Sequence, residues 1–457
     1  MQKKIIALAV AGLASTAAFA QTNVVVYGVA DGTFDYVWQS GSKLQSQSES
    51  ATFNNAGVLT GSTSSISRQD NDVDATRVSA NSSYIGFKGS EDLGNGLKAL
   101  FQYEMTVRFD AGTGPTADRD SFVGLSHDKG GTIVLGNLTG PTRALGAALD
   151  VNPGATGIGA NSGLIGKIAG STLKSTVVAS GINAAGTTVT ATVGTPAAPT
   201  GFGYSCGKSS TCTSIFDTRW ANTVAYLSPN WGGFSFAGAY TNAFEDTTPD
   251  YGTAPAATRL AQDLAQKDSY GYDVGAKWEG GGFMVGATYN WAQLGDYLGT
   301  ELDNIRVGGM YSAPNWSIRA MWELTKADLS NNNLIPSTEQ QKFGIGGTFS
   351  IGKATLLAQW YGTDDADGLG DSKANLYEIG ALYNLSKRTM LKATWAMIDN
   401  DDGSAADFGV NAIGNQSLYA SAQATRVGTT TTIQDNLTAS GFGAKNQGIQ
   451  VGIRHSF

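Results

Sequence analysis

Histidine is almost missing from this sequence, with His127 and His455 the only two in 457 residues. Hydrolytic chemistry usually recruits a histidine as general base, and neither residue is placed for that work. His127 stands beside a turn signal, and the adjacent Ser126 would project from the opposite face of an extended chain. His455 falls on the apolar parity of the last segment, so no enzyme is expected. Cysteine is equally scarce. Cys206 and Cys212 bracket five residues in CGKSSTC, and without a nearby histidine two thiolates leave zinc under-coordinated. In an exported chain the pair therefore reads as a small disulfide loop. Prolines number only ten. Basic charge is also short, with 30 Lys and Arg against 38 Asp and Glu, which argues against nucleic acid as a partner.

Long hydrophobic runs are absent as well. The first twenty residues, MQKKIIALAVAGLASTAAFA, carry Lys3 and Lys4, an apolar stretch from Ile5 to Leu13, and Ala18-Phe19-Ala20 at the end. This is the pattern of a Sec signal peptide, too short to span a bilayer. Export is expected to leave a single domain, 21–457, with 28 basic and 38 acidic residues, a net −10. No later stretch approaches the roughly 18 apolar residues of a membrane helix. Phosphate-cradling glycine motifs, cofactor signatures and metal-ligand clusters are missing too, so no cofactor is called for.

What the chain does have is 60 glycines, 17 tyrosines, 18 phenylalanines and nine tryptophans, the composition of an all-β protein. Alternation organises them. In LKALFQYEMTVRFD, from Leu97 to Asp110, residues Leu97, Ala99, Phe101, Tyr103, Met105, Val107 and Phe109 share one face of an extended strand. Lys98, Gln102, Glu104, Thr106 and Arg108 share the other. Similar segments are read at 24–37, 76–89, 96–110, 117–126, 130–137, 218–228, 231–241 and 268–279. The second half adds 282–293, 303–313, 315–326, 341–351, 353–362, 374–384, 388–399 and 446–457. Short connections such as EDLGNG, HDKGG, SPNWGG, EGGG, APNW, IGK and LSKR use turn residues. They alternate with long ones, chiefly 38–75, 138–217, 242–267 and 400–445. An even set of about 16 antiparallel strands, with short periplasmic turns and long extracellular loops, predicts a transmembrane β-barrel. Closure satisfies every backbone donor and acceptor inside the bilayer, and a barrel of this size keeps an aqueous lumen. Aromatics near strand ends, among them Tyr289, Trp291, Tyr311, Trp316, Trp322 and Phe457, fit the two interfacial girdles.

Several strings are more specific. YIGFKGSEDLGNGLKALFQYE, NTVAYLSPNWGGFSFAGAY, YNLSKRT and the closing VGIRHSF resemble segments of the trimeric general porins of β-proteobacteria. The matches run from about residue 24 to 457. That resemblance implies a homotrimer in the outer membrane, in contact with lipid and lipopolysaccharide, with the third extracellular loop (138–217) folded into the lumen. It also implies that Phe457 is part of a signal read by the barrel-assembly machinery.

If apolar positions face lipid, their neighbours face water, and parity gives an inventory of the lumen. The basic members are Lys88, Lys98, Arg108, Arg219, Lys277, Arg306, Arg319, Lys342, Arg388, Lys392 and Arg454. The acidic members are Asp31, Asp35, Glu104, Asp273, Glu323 and Glu378. The third loop adds Arg143, Lys167, Lys174 and Lys208 against Asp150 and Asp217. Basic residues outnumber acidic ones, which points to a diffusion channel with a weak preference for anions. Two positions depart from the family pattern: Tyr84 and Asn137 stand where its members often carry constriction arginines. Any single charge on the list is read first as a solvated wall residue or a member of an intraluminal ion pair, and only the collective sign is read as functional. The acidic groups Asp364-Asp365 and Asp399 to Asp402 are read as solvated loop carboxylates rather than acid-base or calcium sites. The alternative reading is a substrate-specific channel, or an adhesin acting through its long loops.

Overall fold

The structure, a computed structural model, describes residues 23–53, 59–112, 114–167, 216–242, 270–294, 300–328, 338–367, 370–413, 418–427 and 430–457. Segment 1–20, read above as a signal peptide, and Lys174, Cys206, Lys208 and Cys212 lie outside the described residues.

Sixteen antiparallel staves close into one barrel. The first is β1 (Asn23–Ser40). The second consists of two pieces laid end to end, β4 (Asp74–Ser79) and β5 (Tyr84–Gly94), which pair with β1 over Thr33–Trp38 and Asn23–Val29. Between them the chain breaks at residues 80–83, where Asn81 takes φ +43°. The wall continues through β6 (Leu97–Thr106), β7 (Ser121–His127), β8 (Gly131–Thr139), β9 (Arg219–Leu227), β10 (Phe234–Thr241) and β11 (Tyr270–Gly280). It goes on through β12 (Phe283–Leu294), β13 (Thr300–Ser312), β14 (Trp316–Asp328), β15 (Thr338–Ile351) and β16 (Ala354–Thr363). The last staves are β17 (Ala374–Asn384), β18 (Thr389–Asn400) and β21 (Lys445–Ser456). Strand β21 pairs with both β18 and β1, which seals the seam. At its end the Phe457 amide donates to Gly28 O at 3.1 Å, and only a glycine at 28 leaves room for the Phe457 ring.

Alternation decides which solvent each side chain meets. Phe34, Tyr103, Val123, Leu125, Ile133, Val285, Ile345, Ile379, Val451 and Ile453 are exposed on the outer face, as a lipid-facing surface requires. Aromatics gather at both rims of that face: Tyr240, Tyr270, Tyr272 and Trp291 at one, Phe283, Tyr311 and Trp316 at the other.

Two ranges expected to be plain loops contain strands. β2 (Lys43–Phe53) and β3 (Leu59–Asp70) lie in 38–75; β19 (Leu418–Val427) and β20 (Thr430–Phe442) lie in 400–445. Together they form a separate four-stranded sheet in the order β19-β20-β2-β3. Strings such as KLQSQSESATF are polar on both faces, so they carry no amphipathic signal. Their pairing continues from the extracellular ends of β1, β4 and β21.

Candidate functional site: the lumen and its inward loops

After β8 the chain turns into the barrel. Helix α1 (Pro141–Ala148) starts with Pro at its first turn, where the missing amide hydrogen costs nothing. Leu145 and Leu149 on one side, followed by Ile158, Leu164 and Ile165, form one cluster with Val37, Met284, Met321, Tyr361, Leu376 and Ile398 of the inner wall. The wall is bare beneath them. A Cβ on Gly286 would lie 3.0 Å from Leu145, on Gly346 2.8 Å from Val151, and on Gly448 2.9 Å from Ile158. These glycines let the loop lie flush, an inward use of residues that composition alone suggests are turn formers. Ala144, Ala147 and Ala148 face away from the wall and are exposed.

Polar pairs nail the loop down. Thr142 Oγ1 donates to Asp273 at 2.7 Å, and Arg306 Nη1 donates to Thr142 O at 2.6 Å. Arg306 Nε also reaches Glu323 at 2.6 Å, and Asp217 lies 3.2 Å away. Lys342 Nζ donates to Glu323 at 3.1 Å and to the Lys167 carbonyl at 2.6 Å. Gly166 N donates to the same Glu323 at 2.6 Å. Further along, Gln359 Nε2 bridges Asp150 at 3.3 Å and Glu378 at 2.6 Å, and Asn152 Nδ2 donates to Glu378 at 2.8 Å. Arg319 donates to the Asp150 carbonyl. Burial pushes the Asp150 carboxyl up to about 6.

The parity inventory therefore divides. Arg306, Lys342, Asp273, Glu323 and Glu378 point inward but are buried between loop and wall; they hold the loop instead of meeting the channel water. Asp150 and Asp217 share that fate. Arg108 lies beyond the end of β6, paired with Asp118 at 3.6 Å, because the strand stops at Thr106. Arg388 sits in the turn 385–388. Lys98 and Lys277 sit near turns, beside Asp128 at 3.7 Å and Glu279 at 2.9 Å. Asp365 and Asp399 at the loop mouths pair with Lys373 and Lys445 at 3.1 and 3.3 Å. His127 Nδ1 accepts the Lys129 and Gly130 amides of its turn.

A cationic array runs from the edge of the loop onto the wall beyond it. Arg454 and Lys392 flank Asp31 at 2.8 and 2.5 Å, leaving one positive charge in excess. Lys88 lies 4.8 Å over the Tyr27 ring. Arg119 lies 4.4 Å over the Tyr84 ring and 3.2 Å from Glu104, which also accepts the Tyr27 hydroxyl at 2.9 Å. Arg219 pairs with Asp120 at 3.3 Å, and Arg143 of α1 donates to the Asp217 carbonyl.

Arg119 and Arg77 were not in the inventory. Strict alternation back from Val123 would send Arg119 to the lipid side, but β7 begins only at Ser121. The two residues before it leave the extended path, and the Asp120 carbonyl accepts from Glu104 N at 3.2 Å. Arg77 sits opposite Asp35 in β4, at the margin of a segment whose register the sequence leaves loose. The two positions that depart from the family pattern both lean on Arg119: Tyr84 carries its guanidinium, and Asn137 Nδ2 donates to its carbonyl at 2.9 Å.

Comparison with known proteins agrees with this architecture. The chain is 26% identical to outer membrane porin protein 32 of Delftia acidovorans over 462 residues, the whole of both chains. Its fold matches an anion-selective porin from Comamonas acidovorans with a TM-score of 0.59 at 22% identity, over 96% of this chain and all of the other. A 57-residue stretch, 12% of this chain and 14% of the relative, is 54% identical to major outer membrane protein P.IA of Neisseria meningitidis serogroup C. The Gram-negative porin family matches residues 7–403. With a closed lipid-facing barrel, a lumen narrowed from within and a family match over most of its length, the chain belongs to the Gram-negative porins, diffusion channels of the outer membrane.

Proposed function

We propose that this porin passes small hydrophilic solutes by size, prefers small anions modestly, and works as a homotrimer. One observation carries the preference. All six acidic residues of the inward-facing inventory, Asp31, Asp35, Glu104, Asp273, Glu323 and Glu378, are less than a tenth exposed. Of the eleven basic ones only Arg306, Lys342 and Lys392 are so buried. A permeating ion thus meets guanidinium and ammonium groups, while the carboxylates are buried in the wall, four of them in ion pairs and Asp273 and Glu378 on neutral hydrogen-bond donors. Arg119 and Arg143 add to the same sign. At physiological salt the field of such groups reaches about 8 Å. The solved relative described as anion-selective supports the same reading.

Reversal potentials in a potassium chloride gradient test it. Chloride should be the more permeant ion, and a clear potassium preference would overturn the proposal. Trimeric assembly is tested on an unheated gel, where a heat-labile band of three times the monomer mass is expected. The adhesin or substrate-specific alternative predicts saturable flux of one ligand; graded uptake of neutral sugars in liposome swelling is the expected result. Phe457, seated at the β1–β21 seam, is proposed as the assembly signal, and its deletion should slow membrane assembly.

A further inference from the structure

The stem of the last extracellular loop also turns inward. Asn400, at the end of β18, gathers residues 401–406 into a tight curl. Its Nδ2 donates to Ala406 O at 3.0 Å, and its Oδ1 accepts Ser404 Oγ at 2.9 Å and Ala406 N at 2.8 Å. Asn446 of β21 donates to the same Ala406 carbonyl at 2.8 Å. Phe408, 2% exposed, then enters the apolar cluster that contains Leu164, Ile165, Leu376 and Ile398. The next residue, Gly409, lies so close to Ser162 and Gly163 of the third loop that a side chain would not fit unshifted. Lys167 Nζ donates to Asp407 O at 3.2 Å. The far end is tied to the opposite side of the seam: Arg77 donates to the carbonyls of Asn411 and Ala412, and Asn411 Nδ2 donates to Asn81 at 2.7 Å.

We propose that residues 404–413 form a strap across β18, β21, β1 and β4 that pins the returning arm of the third loop, with Phe408 and Arg77 as positioning residues for the constriction. The reasoning is geometric. Charged side chains hold the third loop at its two ends: Asp273 of β11 and Arg306 of β13 at Thr142 and Arg319 of β14 at the Asp150 carbonyl, then Glu323 of β14 at the Gly166 amide and Lys342 of β15 at the Lys167 carbonyl. Between those ends the returning arm, 158–165, packs Ile158, Leu164 and Ile165 into the apolar cluster and bonds the wall at Gln359 and Tyr361, and Phe408 of the strap packs into the same cluster. Ser404 O also accepts from Gly443 N at 3.1 Å, the residue that joins the extracellular sheet to β21. The position of the third loop is thereby tied to the base of the extracellular sheet. The strap and the pore charges are separate claims, so the experiment reads loop motion and not ion preference.

The test is a cysteine pair, Gly163→Cys with Asp407→Cys, at positions where a Cβ on residue 163 would lie 3.5 Å from Asp407 O, in a background where Cys206 and Cys212 are serine, recorded as single channels in planar bilayers. Mild oxidation should cross-link the pair in the native trimer and leave unit conductance near the wild-type value. Adding Arg77→Gln and Phe408→Leu should lower the voltage at which channels close and raise open-channel noise several-fold. Oxidising the cysteine pair should reverse both effects, and Arg77→Lys should restore part of the steadiness. A merely structural role would alter heat stability but not noise that a cross-link removes. Failure of the cross-link to form overturns the proposal, as does a quiet channel in the weakened variant, or noise that persists after oxidation. Arg77→Gln alone keeps the test open should Phe408→Leu fail to assemble.

Discussion

Replacing Arg306 by methionine is predicted to unseat the third loop while leaving the barrel folded. Arg306 is fully buried, and it holds Glu323 at 2.6 Å, the Thr142 carbonyl at 2.6 Å and Asp217 at 3.2 Å. Methionine fills much of the same volume but leaves Glu323 with Lys342 and the Gly166 amide, and removes the cation beside Asp217. Taking one member from a buried ionic network costs about 3–5 kcal/mol, chiefly through the charge left behind. At about 1.4 kcal/mol per factor of ten, the ratio of docked to undocked loop falls by about two to four orders of magnitude. The strand ladder of β13 with β12 and β14 is backbone pairing and does not depend on this side chain. Single-channel conductance and the size limit for sugars in liposome swelling should both rise, with the trimer band on an unheated gel unchanged. A variant with Arg306→Met, Asp217→Asn, Glu323→Leu and Lys342→Met together should be milder, since no member of the network is left as an orphan charge. If Arg306→Met folds and shows wild-type conductance and exclusion limit, the ionic network does not hold the loop, and the account of the buried charges is wrong.

Four other outcomes follow from the same geometry. Arg119→Gln should lower the chloride-to-potassium permeability ratio about twofold near physiological salt and more in dilute salt, as the screening length grows; reversal potentials at two ionic strengths check this. Gly159→Val should lift the loop off Glu378, whose carboxylate occupies the space a side chain would need, and appear as a noisier open channel. Leu149→Ala, at a fully buried site in the inner cluster, should weaken loop docking by about 2–5 kcal/mol, read as added noise without loss of trimer. The Asp150 carboxyl, raised from 3.8 to about 6 by burial, binds its proton more tightly docked than free. Docking is therefore unpenalised below pH about 4 and loses about 3 kcal/mol as pH rises through 6. Open-channel noise should grow over that window and lose its pH dependence in Asp150→Asn.

The barrel was legible in the sequence because lipid and water impose a period of two on every stave. Segments such as 374–384 and 282–293 coincide with β17 and β12 to within a residue. Legibility failed where that contrast of solvents failed. β2 and β20 lie in the separate extracellular sheet and carry polar residues on both faces, so no alternation marks them. The split between β4 and β5 leaves no trace either, since Asn81 and its neighbours look like any polar inward stretch.

The charged lumen illustrates the sharper limit. Parity assigns Glu323, Lys342 and Glu378 to the inner face, and all three are buried beneath the loop. It treats the inner face as one solvent, however, and the third loop makes it two. Over β12 to β17 and β21 the loop turns the inner wall into protein core, where charge is tolerated only when paired. Over β5 to β9 it leaves the wall wet. Which side each residue joins depends on a contact between segments more than a hundred positions apart, such as Asp150 with Gln359, and no local pattern encodes it. The net sign of the inventory survives this partition because the sequestered positions are mainly acidic. Arg119 escaped for the complementary reason: it is lumenal because the chain stops being a strand two residues before β7, at the one place where period two no longer applies.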